Sequence, residues 1–152
     1  MSRAEPTEVE ALNSPGFRLD GELAVLQRIA APLLLLARVL LSYIFLIEGY
    51  GKIGDYQAVA GYMSQQGVPA ALLPLVILTE LGGGLLVLFG LKTRWAALAL
   101  AGFCLLTALL FHMSAEEVTN FQKNVAIAGG FIALATAGPG AWSLDAWRSR
   151  LR

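Results

Sequence analysis

Six polar residues scattered along the chain could together line a partly enclosed binding pocket: Glu48, Lys52, Tyr62, His112, Lys123 and Asn124. Two ammonium groups, an amide, a phenol and an imidazole can donate hydrogen bonds, while the carboxylate and the imidazole can pass protons. A pocket of mixed donors and acceptors is a candidate ligand site. Two more ionisable residues, Arg38 and Glu80, lie deep inside apolar runs. An unpaired charge at such a depth costs roughly 2.5–3.5 kcal/mol on insertion scales. The sequence therefore predicts an Arg38–Glu80 ion pair between two helices.

The elements that position these residues are membrane-crossing helices. Of 152 residues, 57% are hydrophobic and only 14% are charged, and the mean hydropathy is +0.64, outside the range of soluble domains. Eleven basic and eleven acidic residues balance to zero, so the bulk charge points to no nucleic acid and no acidic partner. The single cysteine, Cys104, excludes an intrachain disulfide, a CxxC relay and a cysteine zinc site; packing is its simplest role. No metal-ligand spacing and no flavin, haem or iron–sulfur signature is present. No intrinsic cofactor is expected, and electrons for any redox step would come from a partner protein.

The expected fold is all-α, an antiparallel four-helix transmembrane bundle. A polar cytoplasmic tail (1–31) precedes the four-span region (32–138), and an amphipathic cytoplasmic tail (139–152) follows. The spans are expected over 32–53, 70–91, 95–113 and 120–137, each close to the ~20 residues that cross a bilayer. Pro32 suits a helix start. Residues 22–30 fit a short interfacial helix or a flexible tail equally well. Asp55 is placed to cap a short helix over 56–66, closed by Gly67 and Pro69, which would lie as a lid over one end of the bundle. Gly82, Gly83 and Gly84, and a stripe of Ala126, Gly130, Ala133 and Ala137, would let neighbouring helices approach. Ser143 can cap a last helical turn. No secretory signal pattern is seen. Eight Lys or Arg fall in the tails and the loop at Lys92–Arg94, against Lys52 and Lys123 at the opposite level, so both termini are placed in the cytoplasm of a bacterial inner membrane.

In the first span Arg38, Ser42, Phe45, Gly49 and Lys52 form one stripe at three- and four-residue steps. Glu48 and Lys52 stand at the favourable i,i+4 spacing. Antiparallel packing brings Glu48, Lys52, His112, Lys123 and Asn124 to one outer level, beneath the lid that carries Tyr62. A plainer account also fits: the lysines snorkel to headgroups, and Arg38 and Glu80 only fix helix register.

Arg38-x(6)-Phe45-x(3)-Gly49-x(2)-Lys52, then Tyr62-Met63-x(3)-Gly67-x-Pro69, Glu80-Leu-Gly-Gly83, Gly90-x(2)-Thr93-Arg94, Phe111-His112, Lys123-Asn124 and Gly138-Pro-Gly140-x(2)-Ser143-Leu-Asp145 resemble the DoxX family of small bacterial inner-membrane proteins. The resemblance covers about Leu35 to Asp145. It implies a four-helix membrane bundle linked to membrane redox systems, one related protein being a subunit of a thiosulfate:quinone oxidoreductase. The leading expectation is an accessory, quinone-interacting subunit of a membrane oxidoreductase, with Tyr43, Tyr50 and Phe45 lining a slot for the ring. The alternatives are a non-enzymatic scaffold and, as a homo-oligomer, a small-anion transporter.

Overall fold

The computed structural model describes residues 15–152, with side-chain surroundings from Leu23 onward; the first part of the expected tail lies outside the described residues. Helix α1 (Pro15–Gly54) is followed by a short α2 (Tyr56–Gln65). A single 3-10 turn (Ala70–Leu72) leads into α3 (Leu73–Phe89), and α4 (Thr93–Phe111) returns after a tight loop. A second 3-10 turn (Ala115–Glu117) opens α5 (Val118–Ala137), and a short α6 (Leu144–Arg150) comes last. Helix α1 packs on α3, α3 on α4, α4 on α5, and α5 back on α1.

Among the described residues three segments are long and apolar enough to cross a membrane: Leu23–Gly54, Ala70–Phe89 and Thr93–Phe111. The solvent logic of the molecule is inverted accordingly. Leu40, Ile47, Leu78 and Leu109 point outward, whereas Arg38, Ser42, Glu80 and Thr93 are buried. Polar groups inside and aliphatic groups outside are what a hydrocarbon surrounding selects.

The expected helix start at Pro32 is corrected. Helix α1 begins at Pro15 and runs through Pro32 without ending. Proline removes one i to i−4 hydrogen bond from a helix interior, but the apolar residues on both sides, Leu23 to Ile29 and Leu33 to Leu36, continue the helical run. Pro15 itself occupies the first-turn position where the missing N–H costs nothing. Asp55 precedes α2 as expected, but its side chain caps no backbone N–H.

The core is built where α1, α4 and α5 meet, around Phe45, Leu100, Cys104, Phe131 and Leu134. Phe45 and Phe131 meet edge to face at 5.3 Å, a favoured aromatic geometry. The α1–α3 and α3–α4 contacts depend on missing side chains. A Cβ on Gly49 would lie 2.9 Å from Leu81 Cγ, and one on Gly83 would lie 2.8 Å from a Leu100 methyl. Of the small-residue stripe expected on the last span only Gly130 serves this purpose, since a Cβ there would lie 3.1 Å from a Leu41 methyl of α1. Ala126, Ala133 and Ala137 are exposed, and α5 buries Ala128, Phe131, Leu134 and Ala135 instead.

Candidate functional site

The stripe read on the first span faces inward: Arg38, Ser42, Phe45 and Gly49 are buried and Lys52 is mostly so. The partners of its two cations differ from expectation. Arg38 does not reach Glu80. Its Nη1 donates to the Leu88 carbonyl at 3.2 Å and its Nη2 to the Trp142 carbonyl. The physical reason is register. Gly49 abuts Glu80 and Leu81 across the α1–α3 contact, so Arg38, eleven residues earlier, lies level with the C-terminal end of α3. There the last turn leaves carbonyls without helical partners, and a guanidinium satisfies them without any carboxylate.

Glu80 instead pairs with Lys52, Nζ to Oε2 at 2.9 Å, and Lys52 also reaches Glu48 at 3.5 Å. The Glu80 contact is one of charge on charge, since Oε2 accepts no well-aligned hydrogen bond. The three side chains are graded in exposure from 8% at Glu80 through 20% at Lys52 to 60% at Glu48. A carboxylate–ammonium–carboxylate row thus leads from a buried floor to the surface.

Across from it, the start of α5 and the end of α4 build a second polar wall. His112 Nδ1 lies 3.0 Å from Glu117 Oε2, which also accepts from Asn120 Nδ2 at 2.5 Å. Asn120 Oδ1 accepts from Lys123 Nζ at 3.1 Å, and Asn124 Nδ2 donates to the Asn120 carbonyl at 3.1 Å. The three-residue steps Glu117, Asn120 and Lys123 put these groups on one helical face. The Asn120 amide, with smaller help from His112 and Lys123, holds the Glu117 carboxyl below the ordinary carboxylate range. Glu116 is lowered as well, first by its own backbone N–H.

Between the two walls is a cavity of about 310 Å³, near the lower end for small-molecule sites. All six sequence-derived candidates, Glu48, Lys52, Tyr62, His112, Lys123 and Asn124, line it. Helix α2 covers it with Tyr62, stacked on Phe111 at 5.7 Å, and with the buried Met63. The sequence reading missed Glu80 as the floor, Asn120 in the wall, and Phe103 and Phe111 in the apolar lining. Phe103, Thr107 and Phe111 stand four residues apart on one face of α4, so stepping back by helical turns from Phe111, the neighbour of His112, would have found Phe103. Of the expected ring slot, Phe45 lines the cavity, but Tyr43 and Tyr50 project outward at 65% and 73% exposure.

At the opposite end the spacing of Gly90, Thr93, Ser143 and Asp145 has a structural explanation. Asp145 accepts from the Lys92 and Thr93 backbone N–H groups at 2.9 and 3.0 Å and from the Thr93 hydroxyl at 3.3 Å, which caps α4. The Asp145 N–H donates to the Gly90 carbonyl at 2.9 Å. Ser143 Oγ caps α6 through the Ala146 N–H at 3.1 Å. Arg94 Nη1 donates to the Ala135 and Thr136 carbonyls at 2.6 and 2.7 Å, closing the end of α5. Gly90 terminates α3 at φ +69°, and a Cβ there would collide with Arg38 Nη1. Only glycine satisfies both demands.

Comparison with known proteins agrees with this architecture. The DoxX family model matches residues 33–113, a stretch that contains the inward stripe and His112. Inner membrane protein YqjF of Escherichia coli (strain K12) is 53% identical over 114 residues, 73% of this chain and 88% of that protein. Inner membrane protein YphA of the same organism is 37% identical over 123 residues, 74% of this chain and 88% of its own length. No solved structure matches. The charged inward stripe, the helices of membrane length and these matches together place the chain in the DoxX family, as an integral inner-membrane protein.

Proposed function

We propose that this protein binds a quinone ring in the cavity beneath α2 and serves as an accessory subunit of a membrane oxidoreductase. In this reading it is a four-span antiparallel bundle with both termini in the cytoplasm and α2 as a lid at the outer end. Helix α5 completes the set: its 20 residues span about 30 Å, and its polar side chains Asn120, Lys123 and Asn124 are gathered in the first two turns.

One observation carries the proposal. The cavity pairs an aromatic lining, Phe45, Phe103, Phe111 and Tyr62, with polar walls on two sides. A planar ring bearing carbonyl oxygens at opposite edges needs that combination. Lys52 can donate to one oxygen and Lys123 or Asn124 to the other. Glu80 and Glu48 can hand protons to and from the floor through Lys52, and His112, with Nδ1 on Glu117, keeps Nε2 for the same task. Electrons would be exchanged with a partner protein.

The test is a titration of the purified protein in detergent with a non-reactive quinone analogue, followed by thermal unfolding, beside Lys52→Ala and His112→Ala. Saturable stabilisation that both substitutions abolish supports the proposal. No stabilisation of a folded wild-type protein would sink it and leave the scaffold role, with the polar walls serving helix packing alone.

A further inference from the structure

The capped end of the molecule carries a second concave site, and its chemistry is different. Lys92, Asp145, Arg148, Ser149 and Arg152 surround a cavity of about 350 Å³. The one carboxylate among them is already engaged by the Lys92 and Thr93 N–H groups and the Thr93 hydroxyl. Among the described residues, neither Lys92, Arg148 nor Arg152 meets a carboxylate within 4.0 Å. Among the described residues three cations thus face a single carboxylate around one hollow, an excess of positive charge that an anion would relieve.

The surroundings say what kind of anion. All three tryptophans of the chain lie at this end, Trp95 at 75%, Trp142 at 58% and Trp147 at 59% exposure. On α6 the exposed Leu144, Trp147 and Leu151 share one face, while Arg148 and Arg152, four apart, lie beside it towards the hollow. Exposed tryptophans and an apolar helix face bordered by arginines are the furniture of a membrane interface. A soluble anion would have no use for them.

We propose that this hollow binds the phosphate of an anionic phospholipid, with Lys92, Arg148 and Arg152 as donors and with α6 lying in the interface so that Trp147, Leu144 and Leu151 enter the acyl region. The site is independent of the quinone proposal, since it lies at the other end of the four helices.

The tryptophans allow a direct test. The full chain is reconstituted in phosphatidylcholine vesicles that contain, at equal mole fraction, either phosphatidylglycerol or phosphatidylcholine brominated on its acyl chains, and tryptophan quenching is compared. Stronger quenching by the phosphatidylglycerol is expected, with the preference falling about fivefold for each of Arg148→Gln and Arg152→Gln. Arg150→Gln, on the same helix but outside the hollow, is expected to keep it. Equal quenching by the two lipids in the wild-type protein overturns the proposal, as does an equal loss in Arg150→Gln, which would reduce the effect to general charge attraction. Inorganic phosphate that abolishes the preference where sodium chloride of the same ionic strength does not would assign the hollow to a soluble anion instead.

Discussion

The two ends of this protein hold their charged and polar groups in opposite ways. At the capped end Arg38, Arg94 and Asp145 spend their hydrogen bonds on backbone groups: carbonyls at the ends of α3 and α5, and N–H groups at the start of α4. At the cavity end Lys52, Glu80, His112, Glu117, Asn120 and Lys123 bond chiefly to one another around an open volume. Backbone acceptors at a helix end cannot move without unwinding the helix, so the first arrangement fixes the fold. Side chains that face one another can exchange partners with a ligand. The same residue types thus yield a clamp at one end and a binding site at the other.

The largest effect should come from breaking the clamp. Gly90→Ala imposes a left-handed φ on alanine and drives its Cβ into Arg38 Nη1 and Ser143 Cβ, for a loss on the order of 3 kcal/mol or more. Arg38→Met should cost a similar amount by leaving the Leu88 and Trp142 carbonyls without their charged donor. Both would appear as a large drop in thermal midpoint in detergent. If the ends differ as argued, an analogue bound in the far cavity would stabilise wild type and these variants by the same increment.

The second effect separates pairing from burial at the cavity end. Lys52→Met leaves the Glu80 carboxylate buried without its cation and should cost about 2 kcal/mol, less than the 3–5 kcal/mol of a fully enclosed pair because Lys52 is partly open to the cavity. Adding Glu80→Gln should return most of that stability while binding stays lost. A double-mutant cycle on unfolding free energy measures this, and strict additivity would show that the pair is not coupled.

Much of this contrast was legible in the sequence, and the exceptions have a common cause. Three- and four-residue periodicity placed Arg38, Ser42, Phe45, Gly49 and Lys52 on one inward face, and depth counting brought His112, Lys123 and Asn124 to the level of Lys52. What failed was partner choice. The Arg38–Glu80 pair assumed that a buried cation requires a carboxylate, yet the free carbonyls of a helix end serve as well. The helix start at Pro32 assumed that proline marks an end, yet α1 continues through it. Tyr43 and Tyr50 were assigned to the ring slot by aromatic character alone, although they lie off the inward stripe. Each error let residue type decide a question that register and helical angle control.

A third, smaller effect belongs to the clamp again. Asp145→Ala removes the acceptor for the Lys92 and Thr93 N–H groups and should lower unfolding stability by about 1.5 kcal/mol, within the range for lost helix caps. Asp145→Asn keeps an acceptor oxygen without the charge and should lose less. Equal losses in the two variants would mean that geometry alone, without charge assistance, carries the cap.

The smallest effect is a pH dependence confined to the cavity end. Glu117 has its folded value held below that of a free carboxylate, chiefly by the Asn120 amide. Its contribution to stability is therefore complete above the ordinary carboxylate range and disappears as pH falls through the lowered folded value, because the unfolded chain takes up the proton first. The exposure of the group keeps the amplitude slight. Thermal midpoints of wild-type and Glu117→Gln proteins, compared from neutral into acid conditions, should converge at the acid end. Asp145→Asn in the same series locates the effect: a carboxylate acting only at the α4–α5 turn leaves the convergence intact in that background. If the Asp145→Asn change removes it, the titration belongs to the clamp, and the two ends are coupled rather than separate.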